Sequence, residues 1–218
     1  MLFQAIATPN HFHLAHLTSL HLEDMDLTNE SINILCNSEY VKQLISLCLK
    51  ELRGVSFETY QQVFSSFSQL QSFELALNDP ITLGQENDDV EMQKERHKKL
   101  VSLLDTLFDD SCAFANTLQN LTVDDICYDT SLWNDKQFKE EMLQDHVIPL
   151  WNFPFPNLQS CQIDLQMGDS SIAALMTKRL LVNCPAVHTL DLKLMGYEHT
   201  IKLTQQREMI RRMREQYL

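Results

Sequence analysis

Leu44-Ile45-Ser46-Leu47-Cys48-Leu49 is the stretch on which the fold turns. An apolar residue is followed by two others, an apolar residue, one other, and an apolar residue. The same spacing precedes it in Leu17-Thr18-Ser19-Leu20-His21-Leu22 and follows it in Leu70-Gln71-Ser72-Phe73-Glu74-Leu75. It returns in Leu118-Gln119-Asn120-Leu121-Thr122-Val123, in Leu158-Gln159-Ser160-Cys161-Gln162-Ile163 and in Val187-His188-Thr189-Leu190-Asp191-Leu192. The starts lie 27, 26, 48, 40 and 29 residues apart. Three of these intervals match a repeat of roughly 20–29 residues, and the other two are a unit plus an insertion.

The spacing has a mechanical reason. The last two apolar residues of each triple are two apart, so on a strand they share one face, while the residue between them points the other way. A strand with one apolar face must be covered, and each triple leads into a helical pattern. Ser31-Ile32-Asn33-Ile34-Leu35 opens one, and Phe57, Tyr60, Val63 and Phe64 form a stripe. Leu100, Leu103, Leu104 and Leu107 give the next, and Ile172, Leu175, Leu180 and Leu181 a later one. The expectation is an α/β fold. Six short parallel strands, at 20–22, 47–49, 73–75, 121–123, 161–163 and 190–192, line the concave side of an irregular solenoid, with helices on the convex side. Leu47, Leu121 and Leu190 are expected in its core.

Asn183-Cys184-Pro185-Ala186-Val187-His188-Thr189-Leu190-Asp191-Leu192 resembles the NCPxLxxLxL phrase of the leucine-rich repeats of F-box proteins. Phe155-Pro156-Asn157-Leu158 and Phe67-Ser68-Gln69-Leu70 are looser echoes, and the resemblance covers roughly residues 14–195. It departs from regular repeats where they place an asparagine three residues after the last strand leucine. Those places hold Met25, Leu52, Asn78, Ile126, Gln166 and Met195, which favours an irregular arc. The F-box itself is not in this chain, and Met1-Leu2-Phe3-Gln4-Ala5-Ile6 reads as the tail of a preceding repeat's helix. The expectation is therefore a fragment of a longer protein, or else an N-terminal edge covered by a partner.

Composition narrows the function classes. The 218 residues include only four glycines, no two close together, so neither GxGxxG nor GxxxxGK[ST] is present. Thirty acidic against 17 basic residues give a net charge of −13, which repels nucleic acid. No apolar run is long enough to span a membrane, and the start lacks the features of a secretory signal. Six cysteines with no CxxC pair read as reduced thiols of an intracellular chain, cytoplasmic or nuclear. His11, His13, His16 and His21 lack partners at ligand spacing, HExxH and GxSxG are absent, and Asp88-Asp89, Asp109-Asp110 and Asp124-Asp125 have no acid/base context. No cofactor, metal or catalytic residue is assigned, and the reading is not an enzyme.

The domain expectation is a solenoid over 1–199 with insertions near 78–98 and 127–156, followed by a basic helix over 200–218 as a cap. The first insertion combines Pro80, Gly84 and an acidic run before a long surface helix, and 79–92 should be the most protease-sensitive internal segment. The second holds Trp133 and Trp151 among Pro149, Pro154 and Pro156, read as plugging an irregular core edge or as a peptide-binding surface. The tail carries +3 against −16 for residues 1–199, with Met209, Ile210 and Met213 as a narrow apolar stripe.

The candidate binding face follows from the strand geometry. The residues before and after the two core positions face away from the core: Ser19, His21 and Glu23, then Ser46, Cys48 and Lys50, then Ser72, Glu74 and Ala76. Asn120, Thr122 and Asp124 follow, then Ser160, Gln162 and Asp164, then Thr189, Asp191 and Lys193. Partner contact is assigned to His21, Glu23, Cys48, Lys50, Glu74, Thr122, Asp124, Gln162, Asp164, Asp191 and Lys193. Five acids against two lysines make the face acidic, so the partner expected is a basic protein segment. The resemblance implies a protein-interaction scaffold, the substrate-receptor part of an SCF-type ubiquitin ligase, with an upstream F-box holding the Skp adaptor. A free-standing leucine-rich-repeat assembly or regulatory protein with no ubiquitin role is the alternative.

Overall fold

Residues two apart on a strand share a face, so six similar strands placed side by side in one register build straight columns of like side chains. A computed structural model shows this arrangement; it describes residues 16–39, 41–77, 90–127, 151–166, 170–195, 200–205, 211, 212 and 215. Strands β1 (Ser19–Glu23), β2 (Ser46–Lys50), β3 (Ser72–Ala76), β4 (Asn120–Cys127), β5 (Ser160–Gln166) and β6 (Thr189–Met195) pair in sequence order, all parallel. Each contains the last two apolar positions of its triple, and the first apolar residue lies just before the strand. Leu20, Leu47, Phe73, Leu121, Cys161 and Leu190 make one inner column, and Leu22, Leu49, Leu75, Val123, Ile163 and Leu192 the other. Apart from Leu20, which is partly buried, all are buried.

One hydrogen-bond motif recurs at every parallel junction. The second residue of each six-residue phrase offers its carbonyl to two consecutive N–H groups of the next strand. Thr18 accepts from Ile45 and Ser46 at 2.8 and 3.0 Å, and Ile45 accepts from Gln71 and Ser72 at 2.8 and 3.0 Å. Gln71 accepts from Gln119 and Asn120, Gln119 from Gln159 and Ser160, and Gln159 from His188 and Thr189. The backbone thus enters each strand through the same geometry, whatever the length of the preceding connection.

Helices return the chain between strands. Among the described residues these are α1 (Asn29–Asn37), α2 (Phe57–Ser66), α3 (Val90–Leu107) and α4 (Ser170–Asn183). Thr28 and Ser56 stand at equivalent places before α1 and α2. Each accepts a cap hydrogen bond, from the N–H of Ser31 at 3.2 Å and of Thr59 at 3.4 Å. The N–H of Ser56 also donates to Asn29 Oδ1 at 2.8 Å, tying one unit to the next. The expected stripes face inward: Ile32 and Leu35, then Tyr60, Val63 and Phe64, then Leu100, Leu103, Leu104 and Leu107, then Leu180 and Leu181 are buried. The side chains of Ile172 and Leu175 lie outside the described residues.

Where the second insertion rejoins the sheet, Trp151 is a core residue, 1% exposed. Its ring centroid lies 5.0 Å from that of Phe108, and Phe153 lies 4.7 Å from Phe108. Its indole N–H donates to Asp105 Oδ1 of α3 at 2.5 Å. For Trp151, plugging the core edge is the reading that holds. Trp133 and Pro149, the acidic run and protease-sensitive segment up to residue 89, the Met1–Ile6 stretch and the stripe of Met209, Ile210 and Met213 lie outside the described residues.

The tail differs from expectation. Instead of a helix beginning at Thr200, Thr200–Gln205 forms β7, antiparallel to β6 with Met195 opposite Thr200 and Leu190 opposite Gln205. Thr200-Ile201-Lys202-Leu203-Thr204 alternates apolar and polar residues and is rich in β-branched side chains, which suits an extended chain. Only four residues separate Met195 from Thr200, a hairpin-length connection. Helix appears later in the tail, at residues 211, 212 and 215, where Arg211 Nη1 meets Glu215 Oε1 at 2.9 Å. No helix among the described residues is long and apolar enough to cross a membrane.

Candidate functional site

The register that aligns the core columns also aligns the residues on the opposite face. Nearest the strand starts runs a row of short polar side chains, Ser19, Ser46, Ser72, Asn120, Ser160 and Thr189. The next row is His21, Cys48, Glu74, Thr122, Gln162 and Asp191. The third begins Glu23, Lys50, Ala76 and Asp124. It then breaks, because the two residues of β4 between Val123 and Ile126 stand against the single residue of β5 between Ile163 and Leu165. This bulge holds Asp124 and Asp125, so Asp124 is not opposite Asp164 as a uniform repeat would place it. Beyond it the row resumes with Asp164 opposite Lys193.

All eleven assigned partner-contact residues therefore lie on one sheet face, but they are not equally accessible. His21, Glu23 and Gln162 are exposed, and Lys50, Glu74, Thr122, Asp124, Asp164, Asp191 and Lys193 are half-buried. Cys48 is buried, 6% exposed, which removes it from direct contact. Its neighbours explain this: His21 Nε2 lies 3.9 Å from the Cys48 sulfur, and the thiol is hydrogen-bonded to Glu74 on the next strand. Ala76, also on this face, is similarly buried.

The charges interlock across strands. Lys50 Nζ sits 2.6 Å from Glu74 Oε1 and Lys193 Nζ 2.5 Å from Asp164 Oδ2, while His21 Nε2 is 2.8 Å from Glu23 Oε2. The Glu74 hydrogen bond holds the Lys50 ammonium above its ordinary value. Burial works to raise the Glu74 carboxyl, but hydrogen bonds from Lys50 and Cys48 together hold it below the usual range. Burial first, then the Glu74 charge, pushes the Cys48 thiol up to about 12. A thiol this hard to ionise is a poor nucleophile at neutral pH. Among the described residues, no group of three His, Cys, Asp or Glu side chains is placed to hold a metal ion.

A rim adjoining the face was not anticipated. Asp24 and Glu51 leave β1 and β2 with φ of 50° and 48°, and their N–H groups donate to the carbonyls of Lys50 and Ala76. Arg53 then pairs with Asp24 and, at 2.6 Å, with Asp26, and the Asp26 hydrogen bond leads in raising its guanidinium while Asp26 is lowered. Gly54 follows at φ 81°, where a Cβ would stand 2.4 Å from the Leu27 carbonyl oxygen. The signal was in the sequence, since Asp24 and Glu51 occupy equivalent positions one residue past their strands. The 27-residue repeat predicts that they turn alike, although neither is glycine.

No protein-family model, curated protein or solved structure matches the chain.

Proposed function

We propose that this chain is an irregular leucine-rich-repeat solenoid that serves as a protein-interaction scaffold, with the outer face of its parallel sheet as the docking surface. The observation that carries the reading is the alignment of side chains on that face: six strands in one direction present a row of small polar groups beside two charge-bearing rows. The hydrogen-bond motif recurring at all five parallel junctions supports a repeat origin for it. A high thiol pKa where Cys48 approaches His21 argues for binding over chemistry there. On the F-box resemblance, the scaffold is the substrate-receptor part of an SCF-type ubiquitin ligase, and an upstream F-box would recruit the Skp adaptor.

The test is selective obstruction. Thr122→Arg with Gln162→Arg fills adjacent positions of β4 and β5 on the face, whereas Glu30→Lys with Glu95→Lys alters α1 and α3. Proteins retained from a homologous lysate by the immobilised parent chain should be lost with the first pair and kept with the second, at equal melting temperature. The reverse pattern would place the docking surface on the helices. Pull-down of purified Skp adaptor by the full-length gene product tests the ubiquitin-ligase element separately.

A further inference from the structure

Hydrogen-bonding capacity on the sheet face is divided by row, and the division decides which half a partner can use. We infer that the occupant is an uncharged, extended protein segment held through its main chain, lying across the strand starts. This rests on the scaffold reading above.

The charged half of the face is committed to itself. Lys50 pairs with Glu74 at 2.6 Å, Lys193 with Asp164 at 2.5 Å and His21 with Glu23 at 2.8 Å. Asp124 and Asp191 also have partners, and Lys202 of β7 stands opposite Lys193. The strand starts differ. Their row holds only hydroxyl and carboxamide side chains, from Ser19 to Thr189. Just before it stand the second residues of the six phrases, Thr18, Ile45, Gln71, Gln119, Gln159 and His188, exposed except for half-buried Gln119. Neither row contains Asp, Glu, Lys or Arg, although 22% of the chain is charged, so a charged partner finds no counter-ion there. Among the described residues, the side chains of Ser46, Ser72, Asn120 and Ser160 hydrogen-bond to no other protein group, and neither do those of the three glutamines. Ile45, 39% exposed, is the one large apolar side chain exposed on this side; its counterparts Met92 and Val182 are on helices.

The chemistry of these rows selects a peptide main chain. A hydroxyl or carboxamide both donates and accepts, matching the alternating N–H and C=O of an extended chain. A lysine or arginine head only donates, and a carboxylate only accepts. Docking strips water from main-chain groups, which then need such partners. Neither row holds Phe, Tyr or Trp, so a ligand read by stacking has no platform. The short side chains of the first row let a backbone approach closely, and Ile45 offers a contact to a small apolar side chain. Five strand-to-strand steps of about 4.8 Å span about 24 Å, which an extended chain rising about 3.3 Å per residue crosses in about seven residues.

The experiment measures fluorescence anisotropy of a labelled, capped heptapeptide alternating serine and alanine, added to the full chain. Binding should be saturable and change less than about twofold between about 50 and about 300 mM salt, because no ion pair forms. The fully N-methylated peptide, with the same side chains but no N–H to donate, should bind roughly tenfold or more weakly. Ser72→Ala with Ser160→Ala should cause a similar loss at unchanged melting temperature. Glu30→Lys with Glu95→Lys, on the helices, should change binding less than about twofold. Absence of saturable binding, or equal affinity for the N-methylated peptide, would overturn the inference. So would tighter binding of a lysine–serine heptapeptide that weakens as salt rises, since the charged rows would then be the site. If the serine–alanine peptide fails while Thr122→Arg with Gln162→Arg still removes native partners, only this inference falls. If the obstructing pair is also without effect, the scaffold reading falls with it.

Discussion

Asp105 shows how one side chain can join two distant parts of the sequence at a cost that depends on pH. It lies on α3 and accepts the Trp151 indole N–H from beyond the second insertion. Burial pushes its carboxyl up to about 6 despite that hydrogen bond, and Asp109 adds to the rise. A carboxyl whose folded value exceeds its unfolded one makes the folded state the better proton binder. Stability is therefore lost as pH climbs from about 4 to about 6, and the penalty is complete above that window. Asp105→Asn keeps an acceptor for the indole and removes the charge. Melting curves should show the variant more stable than the parent at pH 7, by about 1 kcal/mol after solvent screening of a partly buried group, with the gap closing near pH 4. A gap independent of pH would mean that Asp105 is not the titrating group. Nothing in the sequence announced this contact, because residues 46 positions apart meet only through the way the insertion is packed.

At the scale of elements, Leu47, Leu121 and Leu190 occupy one inner column on β2, β4 and β6 and are 1%, 1% and 0% exposed. Truncation of any one to alanine should cost about 2–5 kcal/mol, whereas Gln71→Ala on the exposed approach to β3 should cost little. Hydrogen exchange should show the loss of protection falling first on the strands adjoining the substitution, since each strand is held by its two neighbours. Denaturant melts of the four variants decide whether the register is right. That register was legible because an apolar triple with spacing three and two leaves no other face for a strand to bury. The β4 bulge was not, since Val123-Asp124-Asp125-Ile126 looks like any strand end until the longer β5 pairs with it. The β7 hairpin was hidden by composition. Basic residues and a sparse apolar stripe further along suggested helix throughout, while the alternation in Thr200–Gln205 is local and outweighed it.

For the whole molecule, the separation of faces was legible and their accessibility was not. Alternation in the sequence assigns His21, Cys48 and Glu74 to the outer face. Only the cross-strand contacts reveal that the first and last of these close over the thiol between them. The same holds for charge. A composition of −13 predicts an acidic surface, but the turning of Lys50 and Lys193 onto Glu74 and Asp164 depends on residues 24 and 29 positions apart in sequence being brought together by neighbouring strands. The central claim, that partners dock on this sheet face, is tested most directly by a photoreactive benzoylphenylalanine placed at Gln162 on the face and, separately, at Glu30 on α1. A partner captured by the parent chain should form an adduct from Gln162 and none from Glu30. An adduct from Glu30 alone would contradict the account and move the binding surface to the helices.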